Sequence, residues 1–199
     1  MKGCYHRRMS ASRIFRRLAL SLGLALALAS PLPAANGSSG AYQVEVLIFR
    51  AVEPPAGEDL STSAEGRGFK RLTDPGTTPP EVLRTLDAAQ MQLGGMAAKL
   101  RASGAWTVLA HAAWVQTATE WPHDLGLSLE QLGISAGGLQ GTVYLEHGQY
   151  LHLGFDLKLG ADPPWSLSEL RKIRFGEKNY FDHPGFGVIA IVNPARGAG

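Results

Sequence analysis

Leu139-Gln140-Gly141-Thr142-Val143-Tyr144-Leu145-Glu146 and Tyr150-Leu151-His152-Leu153-Gly154-Phe155-Asp156-Leu157-Lys158-Leu159 flank His147-Gly148-Gln149 and read as the arms of a β-hairpin. In the second arm Leu151, Leu153, Phe155, Leu157 and Leu159 occupy every second position, with His152, Asp156 and Lys158 between them. Side chains alternate across a strand, so this spacing predicts one buried face and one polar face. A core with an antiparallel sheet follows from that alternation.

Outward from this hairpin, most of the chain reads as strands. Downstream, Asp162-Pro163-Pro164 leads to a second hairpin with arms Leu170 to Phe181 and Phe186 to Val192. Its turn is Asp182-His183-Pro184-Gly185, in which Asp182 is suited to accept N–H groups ahead, Pro184 presets φ and Gly185 supplies conformational freedom. The last strand is apolar on both faces, which suits a central position beside the first strand. Upstream, Trp121 to Ala136 is irregular, with a helical turn at Ser128–Gln131. Ala105 to Gln116 reads as a strand with Trp106, Val108, Ala110, Ala112 and Trp114 on one face. Tyr42 to Phe49 sets Tyr42, Val44, Val46 and Ile48 against Gln43 and Glu45, with Leu47 and Phe49 making the second face partly apolar. Such a strand is expected to be covered on both sides.

Between these strands, residues 51–80 are rich in Pro, Gly, Ser and Thr and read as a long flexible surface loop. Thr78-Pro79-Pro80-Glu81 then fits a helix start, and Val82, Leu86, Ala89, Leu93, Met96 and Leu100 form one apolar stripe ending at Gly104. The expected fold class is α+β: a mostly antiparallel sheet with one main helix packed on a face, in the order β-α-β-β-β-β-β.

The first 35 residues differ in kind. Lys2, Arg7, Arg8, Arg13, Arg16 and Arg17 precede an apolar run from Leu18 to Ala29, and Ser30-Pro31-Leu32-Pro33-Ala34-Ala35 follows. Basic, apolar and small residues in that order are the pattern of a secretory signal. The run is about 12 residues, short of the roughly 20 that span a bilayer. Residues 1–35 are therefore expected to direct export, leaving 36–199 as a single periplasmic domain with no membrane span. An uncleaved N-terminal anchor is the rival reading. The remaining chain holds 13 basic and 17 acidic residues, a formal net charge of −4. The basic character of the whole chain thus belongs to the leader, and nucleic acid is not an expected partner. Cys4, the single cysteine, departs with it, which removes disulfides and thiol chemistry from the mature domain.

No catalytic constellation stands out. His111, His123, His147, His152 and His183 lack metal-ligand spacing, so no metal or cofactor is expected. Glu146 and Asp156 sit on adjacent hairpin arms, where a glycosidase pair is conceivable and solvated carboxylates are the ordinary outcome. Serine-nucleophile motifs are missing. Binding residues are better candidates. Trp121 and Trp165 fall in loops or at strand ends, where a half-exposed indole stacks on sugar rings or partners. Trp106 and Trp114, on an apolar face, read as core. Arg171, Lys172 and Arg174 are suited to acidic groups, or else form a solvated edge strand that discourages aggregation.

Three blocks resemble the CsiV family of Gram-negative periplasmic proteins: Tyr42-Gln43-Val44-Glu45-Val46-Leu47-Ile48-Phe49-Arg50, Gly141 to Leu153, and Tyr180-Phe181-Asp182-His183-Pro184-Gly185-Phe186-Gly187-Val188-Ile189. In the last block Tyr180, Asp182, His183, Pro184, Phe186 and Gly187 carry the resemblance, and the sequence departs from the family at Asn179, where histidine is usual. The resemblance implies a non-catalytic peptidoglycan-binding protein. It also implies a role in cell-wall synthesis and cell shape through an outer-membrane lipoprotein that activates a penicillin-binding protein. The alternatives are a cell-wall hydrolase using Glu146, Asp156 or His152, and an envelope protein-interaction module without wall binding.

Overall fold

The computed structural model describes residues 40–53, 64–65, 77–122, 125–160 and 164–195. The leader at 1–35 and most of the 51–80 loop, residues 54–63 and 66–76, lie outside the described residues. In chain order the elements are β1 (Ala41–Ala51), β2 (Ala64–Glu65), β3 (Val82–Thr85), α1 (Gly94–Ser103), β4 (Trp106–Thr117), β5 (Thr119–Glu120) and β6 (Leu127–Ser128). They continue with β7 (Leu139–His147), β8 (Leu151–Leu159), β9 (Trp165–Ile173), β10 (Asn179–His183) and β11 (Phe186–Pro194). Strands β10-β11-β1-β4-β3 make one sheet and β2-β9-β8-β7-β5 a second, with β6 added on β7. Only the two-residue pairings β2/β9 and β5/β7 are parallel among the described strands.

The hairpin of β7 and β8 closes as its alternation predicts, from Leu139↔Leu159 to His147↔Leu151. Its inward residues Leu153, Phe155 and Leu157 meet Val44, Val46 and Ile48 of β1 in one fully buried cluster shared by both sheets. Each such side chain contributes roughly 1.5–3 kcal/mol, so this seam is the principal source of stability. The final strand β11 lies beside β1 and inside the sheet, which agrees with its two apolar faces.

The other face of β1 is covered by the helix: Leu47, Phe49 and Ile191 pack with Leu93, Met96, Ala97 and Leu100. Glu45 lies on this same covered face and is 1% exposed. Its carboxylate accepts the N–H groups of Gln92 at 2.6 Å and Leu93 at 2.8 Å, while His111 Nε2 donates at 2.8 Å. A buried charge is tolerated when its acceptor sites are filled, and a carboxylate at a helix N-terminus also meets the positive end of the helix dipole.

Three sequence readings are corrected. First, α1 starts at Gly94 and not near Glu81. Val82–Thr85 forms an edge strand on β4, because Glu81 N–H donates to Thr117 Oγ1 at 2.9 Å and Glu81 O accepts Thr117 N–H at 3.1 Å. Extended, the segment buries Leu86 against Ala113 and Val115. The Gly94-Gly95 pair then opens the helix, where weak helix propensity costs less, and left-handed Gly104 (φ 68°) ends it as expected. Second, a bulge between Ile48 and Phe49 of β1 leaves Leu109 of β4 without an opposite residue. Alternation is therefore reversed there: Trp106 and Val108 face the helix, whereas Ala110, Ala112 and Trp114 face the inter-sheet core. Third, Leu170 to Phe181 is two strands in different sheets, β9 and β10, separated by a turn whose Gly176 has φ 74°. The helical turn at Ser128–Gln131 does form, with Ser128 N–H donating to Gln131 Oε1 and Gln131 N–H to Ser128 Oγ.

Two outcomes are expected from chemical denaturation. Glu45→Ala leaves two N–H groups and a histidine without their acceptor and should cost about 3 kcal/mol, with Glu45→Gln intermediate. A midpoint within experimental error of wild type would remove the carboxylate clamp from the account. Gly95→Ala has open space around the added methyl and should raise stability by about 0.5 kcal/mol.

Candidate functional site

Alternation along β8 sends His152 to the outer face of the six-stranded sheet, and the registers place Glu146 of β7 and Lys172 of β9 on either side of it. Trp121 is brought over this face by β5, whose Thr119 and Glu120 pair with Glu146 and His147, and by the bond from Trp121 N–H to His147 O at 3.1 Å. The indole stacks on the His152 ring with centroids 3.9 Å apart and 22° between planes. At the hairpin tip Gly148 leaves room for it; a Cβ there would lie 3.0 Å from Trp121 Cβ. Trp121 remains 41% exposed.

Lys172 extends this surface. Its Nζ lies 3.0 Å from the centroid of Tyr150, a cation–π contact on a ring that is 45% exposed. Beyond it, a cleft of about 360 Å³ is lined by His147, Tyr150, Lys172, Ile173, Arg174 and Phe175. Phe175 is itself exposed and stacks on Tyr42 at 6.0 Å. Burial lowers the His152 pKa below the ordinary histidine value, and the Lys172 ammonium lowers it further, against a smaller opposing backbone hydrogen bond at Tyr150. His152 is thus a neutral stacking partner at pH 7, and Lys172 and Arg174 supply the charge. Arg174 meets Glu177 at 3.6 Å with both side chains exposed, a contact weak enough to leave the guanidinium available.

Of the sequence candidates, Trp121, Lys172 and Arg174 come together. Arg171 does not. Alternation on β9 turns it to the side of buried Leu167 and Ile173, where it pairs with Glu169 and lies 4.4 Å over the Phe181 ring. The basic strip is therefore split between two faces. Trp165 is also remote: it pairs with Leu159, eight residues along β8 from Leu151 and roughly 27 Å away at the rise of an extended strand. Trp114 is core, as expected, and Trp106 packs partly buried beneath the helix.

The Asp182-His183-Pro184-Gly185 turn differs in detail from its sequence reading. Asp182 accepts the Tyr180 hydroxyl at 2.7 Å, while the turn N–H of Gly185 goes to buried His183 Nδ1 at 3.0 Å. Tyr180 is pushed well above the usual tyrosine pKa by burial and then by Asp182. Its ring lies over Gly187 and stacks on Phe49 at 6.2 Å, so Tyr180 covers the gap left by that glycine, and Phe186 is core.

The hydrolase geometry is not favoured. Glu146 faces His152, and Asp156 lies four residues further along β8, so the backbone positions of the two acids are offset by roughly 13 Å along the strand, wider than the carboxylate spacing of glycosidase pairs. Among the described residues no three His, Cys, Asp or Glu side chains converge as metal ligands, and no helix is long and apolar enough to cross a membrane. Tyr150, Phe175 and His147 were missed by the sequence reading, which placed Tyr150 and Phe175 inside strands. Gly176, directly after Phe175, was the signal that the strand breaks there.

No curated protein and no solved structure matches this chain. A family model described as "Peptidoglycan-binding protein, CsiV" matches residues 17–163. The matched stretch contains Trp121, Tyr150 and His152 and stops before Lys172, Arg174 and the Asp182-His183-Pro184-Gly185 turn. It covers well over half of the sequence and bears out the resemblance, and the chain belongs to the CsiV family of peptidoglycan-binding proteins.

Proposed function

We propose that the protein binds peptidoglycan in the periplasm without cleaving it, through the surface of Trp121, Tyr150, Lys172 and Arg174. The observation that carries this reading is the exposed indole of Trp121 held flat on His152, beside a cation and a second exposed ring. Sugar rings present apolar faces that stack on such aromatics, and the carboxylates of stem peptides are met by Lys172 and Arg174. Family membership supports the same ligand. Residues 1–35 act as the export signal and 36–199 as the exported domain. The domain supports wall synthesis and cell shape by engaging an outer-membrane lipoprotein that activates a penicillin-binding protein.

Sedimentation of the purified protein with sacculi tests the reading. Wild type is expected in the pellet, Trp121→Ala should bind at least tenfold more weakly, a loss of about 1.4 kcal/mol, and Lys172→Met should weaken binding and reduce its salt sensitivity. Protein left in the supernatant would favour a protein-interaction module, and soluble muropeptides in the supernatant would favour a hydrolase.

The state of His152 gives a second prediction. Its folded pKa is depressed, so its contribution to stability is complete above the ordinary histidine value and is lost as pH falls through the folded value. Its NMR titration midpoint should lie below 6.5 and rise in Lys172→Met. An unchanged midpoint in that variant would disconnect the two groups.

A further inference from the structure

At the far end of the six-stranded sheet, a cleft of about 570 Å³ is lined by Arg50, Thr107, Leu109, Leu159, Gly160 and Trp165. Its size is that of a small-molecule site. Arg50 continues the inter-sheet face of Val44, Val46 and Ile48 to the point where that face reaches solvent, and it is exposed with no acidic partner among the described residues. Trp165 comes to the same place from the other sheet, at the start of β9, half-buried.

The turn that joins β10 to β11 fixes Trp165 and reaches the backbone beside Arg50. Gly185 lies against the indole so closely that a Cβ there would be 2.4 Å from Trp165 Cε3. Its small size, and not a left-handed backbone, is what the position requires. His183 accepts the Gly185 N–H and stacks on Trp165 with centroids 6.1 Å apart. Gly185 O in turn accepts the N–H of Ala51 at 3.1 Å, next to Arg50. One tight turn thus sets the indole through its Cα and the backbone beside Arg50 through its carbonyl. A planar aromatic ring held by that turn, and an exposed cation capable of bidentate bonding across the same cleft, match a sugar ring that carries a carboxylate.

We propose that Trp165 and Arg50 form a second saccharide subsite, for a muramyl unit whose lactyl carboxylate is free of stem peptide, so that such glycan is held at two points along the sheet. This rests on the wall-binding reading above. Two sites offset by roughly 24 Å along β8, from His152 to Leu159, raise the affinity for a polymer well above that for a fragment. The Asp182-His183-Pro184-Gly185 turn is then the support of this subsite.

The test is an NMR titration of the indole N–H signals of the full-length protein with the N-acetylglucosamine–N-acetylmuramic acid disaccharide, together with sacculus sedimentation. The Trp165 signal should move and saturate. That response should be lost in Arg50→Gln, a surface change that leaves the core untouched, reduced in Gly185→Ala, and retained in Trp121→Ala. The affinity of Arg50→Gln for sacculi whose glycan has been freed of stem peptides should fall at least tenfold while its Trp121 signal still responds to the disaccharide. A Trp165 signal that stays still while Trp121 moves overturns the second subsite and leaves the first standing. A Trp165 response unchanged in Arg50→Gln also overturns it. Failure of the wild-type protein to sediment, with both signals still, overturns the wall-binding reading as well.

Discussion

Glu45 is a charged residue in the middle of a strand that is buried on both faces, and much of the five-stranded sheet is arranged around that fact. An isolated carboxylate in such a place would be very costly, so its oxygens must be filled by donors. They are filled by the backbone N–H groups of Gln92 and Leu93 and by His111. The first two fix where the helix begins and which side of the sheet it covers. The third ties the neighbouring strand to the same point. With the helix anchored there, Leu47 and Phe49 are sealed from water, and β1 can serve as the centre of the sheet.

The inter-sheet core leaves both ends of the six-stranded sheet open, and the chemistry collects at those ends. Around Leu151 the outer face gathers Trp121, His152, Tyr150 and Lys172 from three separate segments. Around Leu159 the seam between sheets ends in Trp165 and Arg50. Neither group is near in sequence, and each is supported by a glycine whose lack of a side chain admits an indole: Gly148 under Trp121 and Gly185 under Trp165. The middle of the inner face is apolar and closed, as the source of stability has to be.

Alternation made much of this legible. The β7–β8 hairpin, the doubly covered first strand, the central last strand, the helical turn after Ser128 and the stop at Gly104 all follow from local pattern, because each depends on residues close in sequence. The errors came where a partner far along the chain decided the outcome. Val82 to Thr85 has a helical stripe, but Thr117 captures Glu81 and holds the segment as an edge strand. A bulge at Leu109 put Trp106 and Trp114 on opposite faces of the strand. A single strand drawn from Leu170 to Phe181 joined Arg171 and Lys172 to the wrong hairpin and hid the exposed Phe175.

By itself, the sequence determined that the core is antiparallel, which residues of the hairpin point inward, and that Trp121, Lys172 and Arg174 were worth considering as binding residues. These follow from periodicity and residue chemistry, which are local. Tertiary structure alone decided that Arg171 turns inward onto Phe181 while Lys172 turns outward onto Tyr150, one residue apart on the same strand. It also decided that Trp165 belongs with Arg50. The physical reason is that a side chain's partners depend on strand pairing and sheet stacking, and those are set by contacts between residues far apart in the chain.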